Sequence, residues 1–209
     1  EMTIVDGDVV DPTNRNRQLP ALFTTHGYPK ATWMKERLLA INPDLKLTVL
    51  QEFLSPERCE ELLTQKFDYV MDCIDSITPK LTLLQAAYKS GIPTVSSMGA
   101  GGKMDPTKIR VSDVFDTHTC KLAFYIRKRL KKMQVQKGIK GVFSTEEMDK
   151  DSLVMTDGSN FKQSAYGTIS YMPAAFGGVA SSVVIRDLLG VTIANEKRPK
   201  SMKSSKLSR

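Results

Sequence analysis

Cysteine is scarce in this chain and badly spaced for chemistry. Cys59, Cys73 and Cys120 are odd in number, and no C-x-x-C pair occurs. Such a set argues against a disulfide framework and a cysteine zinc site, so no zinc is expected, and a reducing cytoplasm is predicted. Histidine is rarer still: His26 and His118 stand alone and read as structural or solvent-facing. Long apolar runs are missing as well. The nearest, PAAFGGVASSVVIRDLLG, is interrupted by Arg186 and Asp187. A bilayer span needs about 18–20 apolar residues, so this run predicts a buried helix rather than an anchor. No secretory signal pattern stands among the first residues.

What is present is enough for one sizeable core. The 209 residues are 41% hydrophobic and 25% charged, an ordinary balance for a globular protein. The net charge of +7 is unevenly placed. Lys121 to Lys140 carries eight basic residues and no acid, and KRPKSMKSSKLSR, from Lys197 to the end, carries six and no acid. The rest of the chain is net acidic. Segregation of this kind points to a polyanionic partner for particular surfaces. The last segment, rich in Ser and Lys, reads as a solvated, disordered tail. One domain over residues 1–195 and a basic tail over 196–209 are expected.

Strand-like and helix-like runs alternate. MTIV, LKLTVL, FDYVMDCID and PTVSS read as strands. KATWMKERLLAIN reads as a helix, with Trp33 in its core face, and SPERCEELLTQ as another, capped by Ser55 with Pro56 in its first turn. In TPKLTLLQAAYKSGIP the expected cap is Thr78, the first helical residue Pro79 and the terminator Gly91. The alternation predicts an α/β fold with a mostly parallel, Rossmann-like sheet. After GAGGKMDPTKIRVSDV the pattern changes to a basic helix from about Asp116 to Met133. Leu122, Ile126, Leu130 and Met133 form its core stripe. GVFSTEE and a polar loop follow.

Ligands of such sheets sit beyond the carboxyl ends of the strands, and Asp6, Asp72, Asp75 and the GAGG at Gly99–Gly102 fall there. An acid after an early strand is the usual partner of a ribose hydroxyl. The TNRNRQ segment adds Asn14, Arg15, Asn16 and Arg17, and a guanidinium fork suits phosphate oxygens. Taken alone, Lys30 reads as an exposed lysine at a helix start; near phosphates it would add a point charge. Asp75 is the natural Mg²⁺ ligand, because hard cations take carboxylate oxygens and bridge to phosphates. Cys73, in an apolar strand, reads as core, and Cys59 and Cys120 have no activating neighbour. Phe143 reads as packing, while Ser144, Thr145 and Glu146 stand either at the border of a substrate pocket or in plain packing. No G-x-G-x-x-G precedes Asp6. The first strand and the glycine loop of a nucleotide fold are therefore expected to be missing from this chain.

The order of Asp6, TNRNRQ, Lys30 and DCIDS at Asp72–Ser76 resembles the ThiF/MoeB/HesA superfamily, the adenylating fold of ubiquitin-like-activating enzymes. GAGGKMDPT (Gly99–Thr107) and VFSTEE (Val142–Glu147) resemble the branch of tRNA threonylcarbamoyladenosine dehydratases. The resemblance implies an ATP-dependent, ligase-type enzyme of tRNA modification. Asp6 would bind the ATP ribose, Asn14 and Arg17 the phosphates, and Arg17 and Lys30 would stabilise charge during adenylyl transfer. Asp75 would hold Mg²⁺ and Ser76 would sit beside the nucleotide. It also implies a homodimer, and sulfur-transfer partners of the kind some relatives have. The basic helix then offers Lys128, Arg129, Lys131 and Lys132 to tRNA phosphates, or is simply a solvated face. Two other readings stay open: adenylation of the C-terminus of a ubiquitin-like or sulfur-carrier protein, and an inactive fragment without nucleotide binding.

Overall fold

The computed structural model describes residues 1–148, 153–155 and 164–200. The chain divides into two units, Glu1–Leu54 and Ser55–Arg209. In the first unit, β1 (Met2–Val5) and β2 (Leu47–Leu50) pair in parallel, with Ile4 opposite Val49. They are linked through a polar loop with two single-turn 3₁₀ helices, Pro12–Asn14 and Phe23–Thr25, and then α1 (Lys30–Ile41). Trp33, expected in the core face of α1, is half-buried and meets the Tyr28 ring edge-on at 6.3 Å.

The second unit holds a four-stranded sheet in the order β3 (Val70–Asp72), β4 (Thr94–Ser97), β6 (Ile139–Ser144), β5 (Ile109–Asp113). The first three strands are parallel; β5 closes the edge antiparallel to β6. The helices are α2 (Pro56–Leu62), α3 (Ile77–Lys89), α4 (Lys121–Lys132) and α5 (Tyr171–Leu188). A further antiparallel pair joins β7 (Leu153–Met155) to β8 (Ser164–Tyr166).

Both faces of the four-stranded sheet are covered, as buried parallel strands require. On one face Leu84 of α3 and Ile126 and Leu130 of α4 pack with Val114 and Phe143. On the other, Val95 and Val142 meet Met172, Phe176, Ala180 and Val183 of α5. The run starting at Pro173 is thus the body of α5, which is buried along one face rather than all round: Ile185 and Leu188 are exposed. Among the described residues no helix is long and apolar enough to cross a membrane.

Several boundaries differ from expectation. Ser55 caps α2, its side chain accepting from the Arg58 N–H at 3.1 Å, with Pro56 in the first turn, as the pattern predicted. The N-cap of α3 is Ser76, not Thr78, and Pro79 lies inside the first turn. A proline there loses nothing, because first-turn N–H groups have no intrahelical partner. Gly91 does terminate α3, at a φ of +68° that a side chain would strain. Helix α4 starts at Lys121 rather than near Asp116. Asp113 caps a separate 3₁₀ turn, Val114–Asp116, and Thr119 takes a φ of +63°, which no helix continues through. Within α4 the expected stripe holds: Ile126 and Leu130 are fully buried, and Leu122 and Met133 flank them. Cys73 lies just past β3 and is exposed, not core, while Cys59 and Cys120 are buried. His118, read from the sequence as structural or solvent-facing, is buried against the Phe143 ring at 5.2 Å. The tail from residue 201 onward and the polar stretches at 149–152 and 156–163 lie outside the described residues.

Candidate functional site

Asp6, Asn14, Arg17 and Lys30 belong to the first unit and Asp75 and Ser76 to the second, so each group is described in its own frame. Asp6 directly follows β1. Its backbone N–H extends the ladder to the Leu50 carbonyl at 3.1 Å, and its Oδ1 accepts the Asp8 N–H at 2.9 Å. The next turn is fixed by reciprocal capping. Asp11 accepts from the Thr13 N–H and hydroxyl at 2.8 and 2.5 Å, and Asn14 Oδ1 accepts from the Asp11 N–H at 3.1 Å. The Thr13 hydroxyl, helped by its N–H, holds the Asp11 carboxyl below the usual carboxylate range. Asn14 is buried by this arrangement. Arg17 donates through Nη1 to the Thr13 carbonyl and to Asn16 Oδ1, both at 2.9 Å, which holds the guanidinium against the same turn.

Lys30 is not the exposed helix-start lysine that its sequence context suggests. It is 8% exposed. Its backbone N–H donates to the Asp8 carbonyl and its Nζ to Asp8 Oδ2, each at 3.0 Å. Val10 pairs with Gly27 and Tyr28 through two backbone bonds, so the strand-end loop and the start of α1 form one clasp. Asp8 is the residue that sequence reasoning missed. Its only signal was the second acid of VDGD, 22 positions from its partner.

In the second unit the chain turns sharply after β3. Asp72 is fully buried and holds Lys80 Nζ at 2.6 Å, the Ser96 hydroxyl at 2.5 Å and the Ile74 N–H at 3.0 Å. Lys80 also donates to the carbonyls of Ile74 and Ser97, both at 2.8 Å. Three acceptors around one ammonium satisfy it without water. Asp72 therefore serves as an anchor of the loop rather than as a ligand group. What the anchor presents is Asp75, exposed at the carboxyl end of β3, and Ser76, the N-cap of α3, whose hydroxyl lies 3.4 Å from Asp75 Oδ1.

The GAGGKMDPT and VFSTEE motifs meet. The Glu146 carboxylate accepts the Met104 N–H at 3.1 Å and the Asp105 N–H at 2.9 Å, while Lys103 Nζ donates to the Glu146 carbonyl. Thr145 N–H reaches the Lys108 carbonyl at 3.0 Å and the Tyr171 hydroxyl reaches the Met104 carbonyl at 2.8 Å. Gly101 is needed here, since a Cβ would lie 2.8 Å from Tyr166 Cβ. Ser144 is buried and accepts from the Glu146 N–H at 3.1 Å. These residues thus act as a clamp on the loop. Burial pushes the Lys103 ammonium below the usual lysine range, with Cys120, Glu146 and Glu147 partly opposing it. The loops after β3, β4 and β6 all stand at the carboxyl edge of the parallel strands, where α/β sheets hold their ligands.

Among the described residues no cluster of three or more His, Cys, Asp or Glu could enclose a metal. Mg²⁺ takes as few as one or two carboxylates together with phosphate oxygens and water, and Asp75 is an exposed carboxylate. On α4, Lys128, Arg129, Lys131 and Lys132 are all exposed.

Comparison with known proteins fits these loops into one family. The ThiF family model matches residues 1–208. The tRNA threonylcarbamoyladenosine dehydratase of Bacillus subtilis is 36% identical over 193 residues, covering 89% of this chain and 76% of that protein. The Escherichia coli protein of the same name is 35% identical over 205 residues, with 90% and 76% covered. Crystal structures of the E. coli enzyme, TcdA, in complex with ATP and with AMP superpose with a TM-score of 0.79 at 34% identity, covering 90% of this chain and 75% of that one. A family match along the whole length and relatives of this similarity lead to one conclusion: the chain belongs to the ThiF family.

Proposed function

We propose that the chain is an ATP-dependent tRNA threonylcarbamoyladenosine dehydratase. A carboxylate is a poor electrophile, because its leaving group would be oxide. In the first step an oxygen of the threonyl carboxylate attacks the α-phosphorus of ATP and pyrophosphate leaves. In the second, a nitrogen of the same modification attacks the activated carbonyl carbon, the ring closes, a proton is lost and AMP departs. The nucleophile is already tethered, so no catalytic cysteine is needed.

The roles of the side chains follow from where charge develops. Asp6 takes the ribose hydroxyls, and Asn14 and Arg17 take the phosphates. Arg17 and Lys30 stabilise the extra charge on the α-phosphate in the transition state, where fixed cations act most strongly. Lys30, held by Asp8 on a rigid clasp, needs no reorganisation to do so. Asp75 would hold Mg²⁺, which supplies further neutralisation of phosphate charge, and Ser76 sits beside the nucleotide. The exposed Lys128, Arg129, Lys131 and Lys132 meet tRNA phosphates. The reading extends to a single adenylating domain over residues 1–195 with a basic tail at 196–209, a homodimer working in the cytoplasm, and sulfur-transfer partners as in some relatives.

The strongest support is the similarity to dehydratases of this name over about nine-tenths of the chain, two of whose structures hold ATP and AMP. The similarity to the ThiS adenylyltransferase of E. coli, 33% identical, spans only 49% of the chain, which disfavours a carrier-protein substrate. The test is mass analysis of nucleosides from threonylcarbamoylated tRNA incubated with the protein and Mg-ATP. Loss of one water from the modified adenosine is expected. AMP–pyrophosphate exchange stimulated by a carrier protein and not by tRNA would overturn the assignment.

A further inference from the structure

A cavity of about 320 Å³ opens at the start of α4, lined by His118, Thr119, Cys120, Lys121, Phe124, Tyr125, Arg127 and Arg198. Among the described residues no acidic side chain lines it, whereas three of the lining residues are lysine or arginine. His118 is 7% exposed, and among the described residues its Nε2 has no hydrogen-bond partner, while Nδ1 lies 3.0 Å from Thr119 Oγ1. A buried ring nitrogen left in this way costs free energy unless something else fills its valence. In the tautomer in which the Thr119 hydroxyl donates to Nδ1, the ring proton sits on Nε2, which is then a donor, as it also is in the protonated ring. Cys120, the N-cap of α4, makes no side-chain cap bond, so the first-turn N–H groups add positive potential on the same wall. Arg127 donates to Thr117 Oγ1 at 2.6 Å and stands 6.0 Å over the Phe124 ring, which fixes its guanidinium in place.

We infer that this cavity is a phosphate-binding subsite that grips the backbone of the RNA substrate next to the reacting nucleotide. The inference deepens the dehydratase reading and rests on it. The location supports it: Lys121 Nζ lies 5.9 Å from the Tyr166 ring, and that residue closes on Gly101 of the clamped loop. The cavity therefore adjoins the carboxyl edge of the sheet. Lys121, Arg127 and His118 supply donors to a phosphodiester, and the Phe124 and Tyr125 rings, 36% and 49% exposed, offer faces on which a neighbouring base stacks.

The charged groups that act on His118 are Arg127 of α4 and Arg198 and Glu196 of the C-terminal segment. Burial first, then Arg198 and Arg127, hold its pKa below 6.5, against the pull of Glu196. A bound phosphate reverses this, so the ring takes up a proton on binding. The chain has only two histidines, so in a His26→Gln variant His118 is the sole imidazole signal in a proton NMR titration. Three titrations are compared: inorganic phosphate, an unmodified tRNA, and the same tRNA with Lys121→Ala protein. The expected result is a raised His118 pKa with the RNA, and a slope of log affinity against log salt that falls by about 1 in Lys121→Ala. A response to inorganic phosphate with none to RNA would overturn the RNA assignment, and no response to either would overturn the subsite. Binding is read without turnover, so absence of the dehydrated nucleoside in the mass assay would reject the dehydratase reading separately.

Discussion

A lysine ammonium gives up much hydration on burial, so Lys30 stands against Asp8 at 3.0 Å rather than alone. The two partners are not equivalent, because the Lys30 side chain is 10% exposed and that of Asp8 46%. Lys30→Met leaves a carboxylate that water can still solvate, so folding is little affected, but adenylyl transfer in single turnover is expected to fall by about 10²–10³. Asp8→Ala strands a buried cation instead. Its expected cost is on the order of 1 kcal/mol by urea denaturation, modest because half of Asp8 is already in water. A Lys30→Met enzyme with undiminished single-turnover rate would remove Lys30 from the chemistry. Thiol reactivity separates the cysteines in the same manner. Cys59 is fully buried, and burial pushes its thiol up to about 11, so at pH 8 Ellman's reagent should titrate exposed Cys73 first and Cys59 only on unfolding.

At the scale of elements, the Asp72–Lys80 pair ties the end of β3 to α3 and, through the Ser97 carbonyl, to the end of β4. Both side chains are fully buried. Removing one partner leaves an uncompensated charge, so Lys80→Met is expected to cost about 3–5 kcal/mol by thermal or urea unfolding. The double replacement Asp72→Leu, Lys80→Met is expected to cost clearly less than the sum of the single changes, a coupling that a double-mutant cycle reads directly. Additivity would mean that the pair is not what holds the turn. The acids at the end of β3 were visible in the sequence, but their division of labour was not: Asp72 and Asp75 differ only in which one meets Lys80, eight and five residues further on. MTIV and LKLTVL were legible as short runs rich in apolar and β-branched residues, and PTVSS as a Thr-Val stretch after the turn signals Gly91 and Pro93. β5 was not, because IRVSD mixes charge into a five-residue edge strand that runs against its neighbour. The start of α4 was misplaced for a local reason, since the left-handed Thr119 has no residue signal comparable to glycine. The junction of Glu146 with Met104 and Asp105 spans more than 40 positions and could not be read from either motif alone.

Over the whole molecule, charge and pH give the account its outward behaviour. Neutralising Lys128, Lys131 and Lys132 together is expected to weaken tRNA binding and to lower the log–log salt slope by about 2–3. An unchanged slope would return that face to plain solvation. His118 also links folding to pH. Its folded pKa lies below 6.5, so the unfolded chain binds the proton more readily. The stability it contributes is fully present above pH 6.5 and is lost as pH falls through that value towards the folded pKa. His118→Gln should flatten this part of an unfolding profile.

The central claim is that the threonyl carboxylate becomes an AMP ester. It is tested most directly by labelling that carboxylate with oxygen-18 in threonylcarbamoylated tRNA and weighing the AMP released. Adenylation predicts one labelled oxygen in each AMP formed during turnover. AMP without label, with the label in inorganic phosphate or in water, would contradict it.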